Sequence, residues 1–446
     1  MARVKRVSLA PLVIPAFAAI FLFNLIPVAT VSTANALDRN QGTALAPPSI
    51  FQIVREVTYD HNEKSTPKMH LAAESSTRAA QWPLGRLGIP DEVDLSGIDI
   101  AIVGTGANVL DDIQSGAVVG GWNFYDQNSD YRDVHGHDTH MLEILANREF
   151  GGARTARIHI YRVSNPAGNS TFEAFVRCIP QAQTDHIKIM LCAWGGRGNP
   201  PDDFVEAIRQ ARDAGILVVT GVGNDAANID ITPDTWKVAD ANVFRTAATV
   251  WSGNDAPENA DTLAGYSASG HGWADVAFPG EALTAHTETS ATWDTGTSVA
   301  TAWATVSAAV IWAQNLTQDW RSVKGRMMAS VVPCSALADK VFAEGRASVS
   351  NALANITRQP LDKVTIKNLK LKNQKKVQFV LEAEMNDMGT PQTLAVYRVY
   401  ARDLLLGIME DPGKFSAKIA KVKPGSAVSL TSESSHGGRD DRLIQN

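Results

Sequence analysis

The sequence predicts an α/β domain with a mostly parallel sheet, followed by a small β-rich domain at the C-terminus. From about residue 80, short β-branched runs alternate with stretches of helical spacing, as is typical of parallel sheets with helices between their strands. After about residue 356 this alternation ends, and apolar residues alternate with lysines instead. The length of 446 residues also exceeds what one hydrophobic core usually organises.

The N-terminus has the composition of an export signal. Three of the first six residues are basic, a long uncharged and largely apolar run follows, and small residues form an A-x-A site at residues 34–36. These features predict a cleavable signal peptide over residues 1–36, and hence a secreted or periplasmic protein. A retained membrane anchor is the alternative, since the apolar stretch reaches the ~20 residues that a bilayer span requires. Residues 37–79 form a short polar segment, which we expect to be extended or disordered rather than a compact pro-domain.

Residues 80–356 carry the α/β pattern. The runs that predict strands are IDIAIV, IHIYRV, IKIMLCAW and ILVVTGVG, which are continuously apolar, as expected of strands buried on both faces of a sheet. Between them lie stretches such as PDDFVEAIRQARDAG, in which apolar residues recur at helical spacing. We therefore predict a mostly parallel sheet flanked by helices.

A second domain is predicted over residues 357–430. The stretch KVTIKNLKLKNQKK contains six lysines and no acidic residue, and its apolar residues roughly alternate with polar ones. This pattern predicts a β-rich domain with one buried face and one basic face. We interpret the basic face as solvated, and a specific anionic partner is the alternative. Residues 431–446 are polar, and we expect a disordered tail.

Charge and cysteine content limit the classes of function. The formal net charge is -6, which does not indicate a nucleic-acid-binding protein. The three cysteines, Cys178, Cys192 and Cys334, form at most one intramolecular disulfide, and buried unpaired thiols are equally compatible with the sequence. Their spacing matches no zinc-binding motif.

The first predicted strand ends in a glycine-containing turn, DIAIVGTGANVL, with glycines at positions 104 and 106. A dinucleotide-binding loop requires a third glycine three residues later, where this chain has Val109. An exported protein would also rarely meet a cytosolic dinucleotide. We therefore reject a dinucleotide-binding function.

Two further segments provide the residue types of nucleophilic catalysis. Gly296, Thr297 and Ser298 begin a long helix of small residues, and a hydroxyl at a helix N-terminus lies where backbone N–H groups stabilise negative charge. Ser298 is therefore a candidate nucleophile. His137 begins another apolar helix and is a candidate general base, because a serine hydroxyl needs a base in order to attack.

In their order along the chain, these segments resemble the subtilisin-like serine peptidases, or subtilases. The histidine signature of that family is similar to residues 136–143, which implies that His137 is the catalytic histidine and His140 a structural one. The serine signature is similar to residues 296–303, which implies that Ser298 is the nucleophile. The resemblance also implies a three-layer, subtilisin-like domain.

The same resemblance implies which residues bind the substrate. GILVVTGVGND is similar to the strand that ends in the family's oxyanion asparagine, here Asn224, which would share the oxyanion with the Ser298 backbone N–H. MLCAWGGRG is similar to one wall of the primary specificity pocket. The residues implied to line this pocket are Ala193, Trp194 and Gly195 on one wall and Gly221 on the opposite wall.

The chain departs from the family at the catalytic acid. The family's first strand ends in D-[ST]-G, whereas this chain has Gly104 at the first of these positions, without a side chain to orient the imidazole. Loss of that carboxylate lowers kcat about 10⁴-fold in related enzymes. A loop acid before His137 is a candidate replacement, with Asp133 favoured over Asp126 and Asp130.

Other positions near the signatures also differ from the family. Asp138 follows His137 where the family has a glycine, and neighbouring helix residues do not face each other, so we expect no direct contact between this carboxylate and the imidazole. Glu143 replaces a glycine of the same helix, and residues 302–303 replace a proline and a histidine after the serine. We expect a repacked interior around these positions.

We interpret the chain as an exported serine endopeptidase with a weakened triad, acting on peptide or protein substrates. An inactive pseudopeptidase that binds a peptide or protein partner in the same cleft is the alternative. The presence of Ser298, His137 and Asn224 together favours the enzyme, and Gly104 favours the alternative. We expect a monomer with no cofactor and no nucleic-acid partner; calcium sites are frequent in the family, but no motif here predicts a metal site.

Overall fold

The computed structural model describes residues 50–52, 78, 80–251, 253, 259–287, 290–386 and 394–446. The predicted signal peptide or anchor lies outside the described residues, as does most of the predicted polar segment that follows it.

Within these ranges, the helices are α1 (Trp82–Leu87), α2 (His137–Ala146), α3 (Phe172–Thr184), α4 (Asp202–Asp213), α5 (Thr297–Ala313), α6 (Trp320–Ala329) and α7 (Val349–Leu353). The strands up to the end of the larger domain are β1 (Ile50–Gln52), β2 (Asp99–Gly104), β3 (Val118–Asn123), β4 (Arg157–Arg162), β5 (Asn169–Thr171), β6 (Ile189–Cys192), β7 (Leu217–Gly221), β8 (Val243–Val250), β9 (Thr262–Leu263), β10 (Val276–Pro279), β11 (Glu281–Thr287), β12 (Ser290–Thr295), β13 (Val332–Pro333) and β14 (Gly345–Arg346). The C-terminal strands are β15 (Asp362–Lys372), β16 (Lys376–Met385), β17 (Tyr397–Ala401), β18 (Leu404–Met409), β19 (Lys414–Lys418), β20 (Ala427–Ser434) and β21 (Arg439–Gln445).

In the described part of the chain, a ten-stranded sheet forms the centre of the larger domain. Its strand order is β13-β14-β10-β8-β7-β6-β2-β4-β3, with β9 paired to β8 outside that path. Pairing is parallel from β14 through to β3, and only β13 and β9 pair in the antiparallel sense among these described strands. The predicted mostly parallel sheet is therefore confirmed.

Both faces of this sheet are buried, and they carry different helices. Ile100 and Ile102 of β2 belong to a cluster with α2, α5 and α6, whereas the alternate residues Ala101 and Val103 pack with α3 and α4. Successive side chains of a strand point to opposite faces, so these two clusters lie on opposite sides of the sheet. The predicted three layers are present, and α5, buried almost throughout its length, is the central helix of one layer.

The C-terminal region contains two antiparallel sheets, with strand orders β15-β16-β19 and β18-β17-β20-β21. Val364 and Ile366 of β15 are buried in its core, while Lys363 and Lys367 on the same strand are exposed. The alternating pattern thus produced the predicted buried face and basic face.

The last residues of the chain differ from the expectation of a disordered tail. Residues 427–434 and 439–445 form β20 and β21, which pair with each other, and β20 also pairs with β17. Val428 and Leu430 are buried in the domain core, and Gly437, with a φ of 94°, lies in the turn between the two strands. β21 is an edge strand, and its charged side chains are mostly exposed, so the segment is polar in sequence. Its backbone is nevertheless paired with β20 along one side.

A buried ion pair joins the C-terminal sheets to the part of the chain that carries the parallel sheet. Arg398 of β17 donates from Nη1 to Asp275 Oδ1 at 2.5 Å and from Nε to the Gly272 carbonyl at 2.9 Å. Burial alone would raise the pKa of the Asp275 carboxyl, but the charges of Lys324, Arg398 and Arg245 lower that pKa to about 2. The carboxylate therefore stays ionised in the interior.

Candidate active site

Several element ends meet at the carboxyl edge of the parallel strands, where open α/β sheets bind their ligands. Strands β2, β6 and β7 end here at Gly104, Cys192 and Gly221. Helices α2 and α5 begin next to these strand ends, at His137 and Thr297. The candidate residues are thus carried by rigid elements and by the short loops that follow them.

Ser298 is the second residue of α5 and is buried. Its hydroxyl donates to the Ala193 carbonyl at 3.3 Å. The first backbone N–H groups of a helix have no partner within the helix, so the start of α5 presents N–H donors around this hydroxyl.

Asn224 follows β7, and Thr297 holds its side-chain amide in one orientation. Asn224 Oδ1 accepts hydrogen bonds from the Thr297 backbone N–H at 2.8 Å and from Thr297 Oγ1 at 2.9 Å. Asn224 Nδ2 is buried and has no hydrogen-bond partner among the described residues. Because such a buried donor costs free energy, Nδ2 is suited to an acceptor that a ligand brings.

His137 has a carboxylate at its Nδ1, and that carboxylate belongs to Asp138. Asp138 Oδ1 lies 2.6 Å from His137 Nδ1, and both side chains are buried. The contact that the sequence analysis did not expect is therefore present. The rule that adjacent helix residues do not face each other applies to helix interiors, whereas these are the first two residues of α2, where no preceding turn restricts the side chains.

Asp133, the favoured candidate for a replacement acid, is placed differently. Its Oδ2 accepts from the Thr139 backbone N–H at 3.0 Å and from Thr139 Oγ1 at 2.9 Å. Its Oδ1 accepts from the backbone N–H groups of His135 and Gly136. Asp133 thus satisfies orphan N–H groups at the start of α2, as a helix-capping carboxylate does.

A cleft of about 470 Å³ opens beside the start of α5. Its lining includes all the residues that the sequence analysis assigned to substrate binding, together with the candidate nucleophile and oxyanion donor: Ala193, Trp194, Gly195, Gly221, Asn224 and Ser298. A Cβ at Gly221 would lie 2.9 Å from Thr297 Oγ1, so the close approach of this wall to α5 requires glycine.

Arg197 crosses this cleft, a feature that the sequence analysis did not identify. Its guanidinium pairs with Asp225 and Asp234 and donates to the Val222 carbonyl at 3.1 Å. Arg197, Asp225 and Asp234 all line the cleft. In the sequence, Arg197 is visible only as the arginine that follows the run WGG. Its ion-pair partners lie in a different loop, so the sequence did not indicate its role.

Three further residues of the two signature segments also have hydrogen-bond partners. His140 Nδ1 lies 2.7 Å from Asp294 Oδ2 on β12, which agrees with a structural role. Glu143 is fully buried. Burial raises the pKa of its carboxyl to about 8, although a hydrogen bond from Asn147 acts in the opposite direction. Trp303 is also fully buried, and its Nε1 donates to the Glu281 carbonyl at 3.1 Å.

The three cysteines are not among the residues that line the cleft. Cys178, Cys192 and Cys334 are buried free thiols. The described ranges contain no cluster of three or more His, Cys, Asp or Glu side chains that could hold a metal ion. No helix within those ranges is both long and apolar enough to cross a membrane.

Comparisons with known proteins identify the family. Over 220 residues the chain is 33% identical to thermitase from Thermoactinomyces vulgaris, an alignment that covers 47% of this chain and 73% of thermitase. It is 26% identical over 204 residues to the subtilisin-like serine protease Pen ch 18 from Penicillium rubens, of which it spans only 41%. Among solved structures, a protease from Pseudoalteromonas arctica shares the fold, with a TM-score of 0.50 and 20% identity over 61% of this chain and 94% of that one.

The family profile agrees with these similarities and covers a longer region. Residues 53–364 match the profile of the subtilase family, peptidase family S8. The match takes in the larger domain, with both helix starts and both walls of the cleft. The chain therefore belongs to the subtilase family of serine peptidases.

Proposed function

We propose that this chain is a serine endopeptidase in which Ser298 is the nucleophile, His137 the general base and Asn224 the oxyanion donor. The observation that carries the proposal is the unpartnered, buried Nδ2 of Asn224 in the same cleft as Ser298. The oxyanion of an acyl-transfer intermediate is an acceptor that would satisfy this donor. Thr297 orients the amide before any substrate binds, so no reorganisation is required.

The proposed substrates are peptides or proteins, bound with their backbone along the two walls of the cleft. We also propose that the protein is exported, because of the basic and apolar composition of residues 1–36. Mass spectrometry of the mature N-terminus tests export: a chain that begins near Leu37 supports it, and a chain that retains the apolar run contradicts it.

Fluorophosphonate labelling tests the proposed activity, because the probe reports an activated serine without requiring the natural substrate. We expect the full-length protein to be labelled and Ser298→Ala to be unlabelled. Ser307→Ala is the matched control, since Ser307 is a buried serine of the same helix whose hydroxyl donates to the Trp303 carbonyl. Labelling that persists in Ser298→Ala would contradict the assignment of the nucleophile.

One observation favours a second candidate function, an inactive protein that binds peptides in the same cleft. Position 104, where the family's catalytic acid is expected, is a glycine. For this candidate we expect a folded protein without labelling, in which Ser298→Ala leaves peptide binding unchanged. Peptide hydrolysis by the unmodified chain that is lost in Ser298→Ala would exclude it.

A further inference from the structure

We propose that Asp138 supplies the carboxylate of the catalytic triad, so that the acid has moved from the end of β2 to the start of α2. This inference rests on the proposed peptidase function and deepens it by assigning the residue that positions His137. It also replaces the expectation of a weakened triad with that of a complete one.

The Asp138 carboxylate is held from two sides. Its Oδ1 faces His137 Nδ1 at 2.6 Å, and its Oδ2 accepts from the Thr105 backbone N–H at 2.6 Å. The Asp138 backbone N–H in turn donates to Thr105 Oγ1 at 3.1 Å. Thr105 directly follows β2, so the end of this strand fixes the carboxylate although the carboxylate no longer originates from it.

Gly104 is the position that makes this arrangement sterically possible. A Cβ on Gly104 would overlap with Asp138 Oδ2 and would lie 2.9 Å from Asp138 Cγ and 3.0 Å from Oδ1. The carboxylate of Asp138 therefore occupies the space into which a side chain at position 104 would project. The two departures from the family pattern, the glycine on the strand and the aspartate on the helix, are one coupled exchange.

The other acids that were candidates are engaged elsewhere. Asp133 caps the start of α2, Asp130 pairs with Arg132, and Asp126 accepts from Asn123 Nδ2 at 3.0 Å. The acid within β2 itself, Asp99, lies at the opposite end of the strand and pairs with Arg157 and His159. Of the acids considered in the sequence, Asp138 is the one whose carboxylate the described contacts place at the imidazole.

The carboxylate defines what His137 does in the reaction. With Nδ1–H donated to Asp138, the imidazole is in the tautomer that accepts a proton on Nε2. When Ser298 Oγ forms its bond to the scissile carbonyl carbon, the hydroxyl proton of Ser298 passes from Oγ to His137 Nε2. Asp138 stabilises the resulting imidazolium. As the C–N bond breaks, Nε2 returns the proton to the leaving amine; water then repeats the sequence on the acyl-enzyme and releases the acid. In this scheme the proton moves only between Ser298, His137, the substrate and water.

A swap of the two residues tests the exchange directly. We expect Asp138→Gly to lower kcat about 10⁴-fold, as loss of the triad carboxylate does in related enzymes, with little change in KM. Gly104→Asp alone should also be impaired, because the added side chain displaces the Asp138 carboxylate. The double variant Gly104→Asp/Asp138→Gly should recover to within about tenfold of the unmodified protein, since the carboxylate then returns from the strand. Asp130→Asn, in the exposed loop, is the control.

A double variant as inactive as Asp138→Gly, while still folded by circular dichroism, would overturn the proposal. So would an Asp138→Asn variant that keeps more than about a tenth of the unmodified kcat, because the amide preserves shape but not charge.

Proton NMR separates this inference from the proposed function, since it does not depend on activity. We expect a low-field resonance from the His137 Nδ1 proton that is lost in His137→Gln and in Asp138→Asn and regained in the double swap. If the protein proved unreactive to fluorophosphonate but showed this resonance, the peptidase proposal would fail while the placement of Asp138 stood. If the resonance were absent or insensitive to Asp138→Asn, the placement would be refuted whatever the activity.

Discussion

Thr297 donates two hydrogen bonds to Asn224 Oδ1, one from its backbone and one from its hydroxyl, and thereby fixes the orientation of the Asn224 side-chain amide. Asn224 lies in the loop after β7 and Thr297 is the first residue of α5, 73 positions further along the chain. This contact predetermines the direction of the proposed oxyanion donor.

The first prediction concerns that donor. Asn224→Ala should lower kcat about 10²- to 10³-fold with little change in KM, because the donor stabilises charge that develops only in the transition state. Steady-state hydrolysis of a chromogenic peptide measures both constants. Thr297→Val, which removes one of the two orienting bonds, should have a smaller effect of the same kind. An increase in KM with an unchanged kcat would instead indicate a role in ground-state binding.

The second prediction concerns substrate preference. Arg197 pairs with Asp225 and Asp234 across the cleft, and a Cβ at Gly223 would lie 2.6 Å from its Nη2, so the guanidinium fills space beside this wall. Arg197→Ala should raise kcat/KM for a large apolar residue before the scissile bond, relative to alanine there, by at least about tenfold. A peptide library varied at that position measures the ratio.

Arg209→Ala is the control for this change, because Arg209 is a half-exposed arginine of α4 that pairs with Glu206. The control should keep the preference of the unmodified chain. An unchanged ratio in Arg197→Ala would mean that the guanidinium does not limit the pocket.

The third prediction is a pH dependence of stability that originates from Glu143. Burial raises the pKa of this carboxyl to about 8 in the folded protein, whereas its ordinary value is 4.5. Between these values the folded state keeps a proton that the unfolded state releases, so a rising pH favours unfolding. The free energy of unfolding should fall by up to about 1.4 kcal/mol per pH unit in this window and level off above it.

Urea denaturation at pH 5, 6, 7 and 8 measures this slope. Glu143→Gln introduces a side chain of the same size next to Asn147 that cannot ionise. The free energy of unfolding of this variant should depend less steeply on pH. Parallel curves for the two proteins would show that Glu143 does not retain a proton in the folded state.

The fourth prediction concerns the buried ion pair between Arg398 and Asp275. Arg398→Met should lower the free energy of unfolding by about 3 kcal/mol, because it leaves the buried Asp275 carboxylate without its closest cation. Arg442→Met is the control on the same domain, since Arg442 is half-exposed and pairs with Asp440 at the surface. That change should cost less than about 1 kcal/mol. Equal effects of the two substitutions would indicate that the buried pair contributes no more than a surface pair.

Much of the fold could be predicted because its signals are local. The continuous apolar strands between residues 99 and 221 and the alternation of Val364 and Ile366 depend on residues only a few positions apart. The same applies to the helix starts that carry His137 and Ser298, whose neighbours in the chain form the motifs. The order of residues 431–446 was not predicted, because β21 depends on pairing with β20 rather than on any apolar pattern of its own.

The sequence by itself determined which residues of the site exist and which elements carry them: a serine and a histidine at two helix starts, an asparagine after a strand, and a glycine at the end of β2. Only the tertiary structure decided what those residues contact. The orientation of the Asp138 carboxylate depends on Thr105, 33 positions away, and on the space left by Gly104. Chain spacing predicts the direction of a side chain only within a regular element, whereas contacts at element ends are set by whichever strand or loop the fold brings alongside.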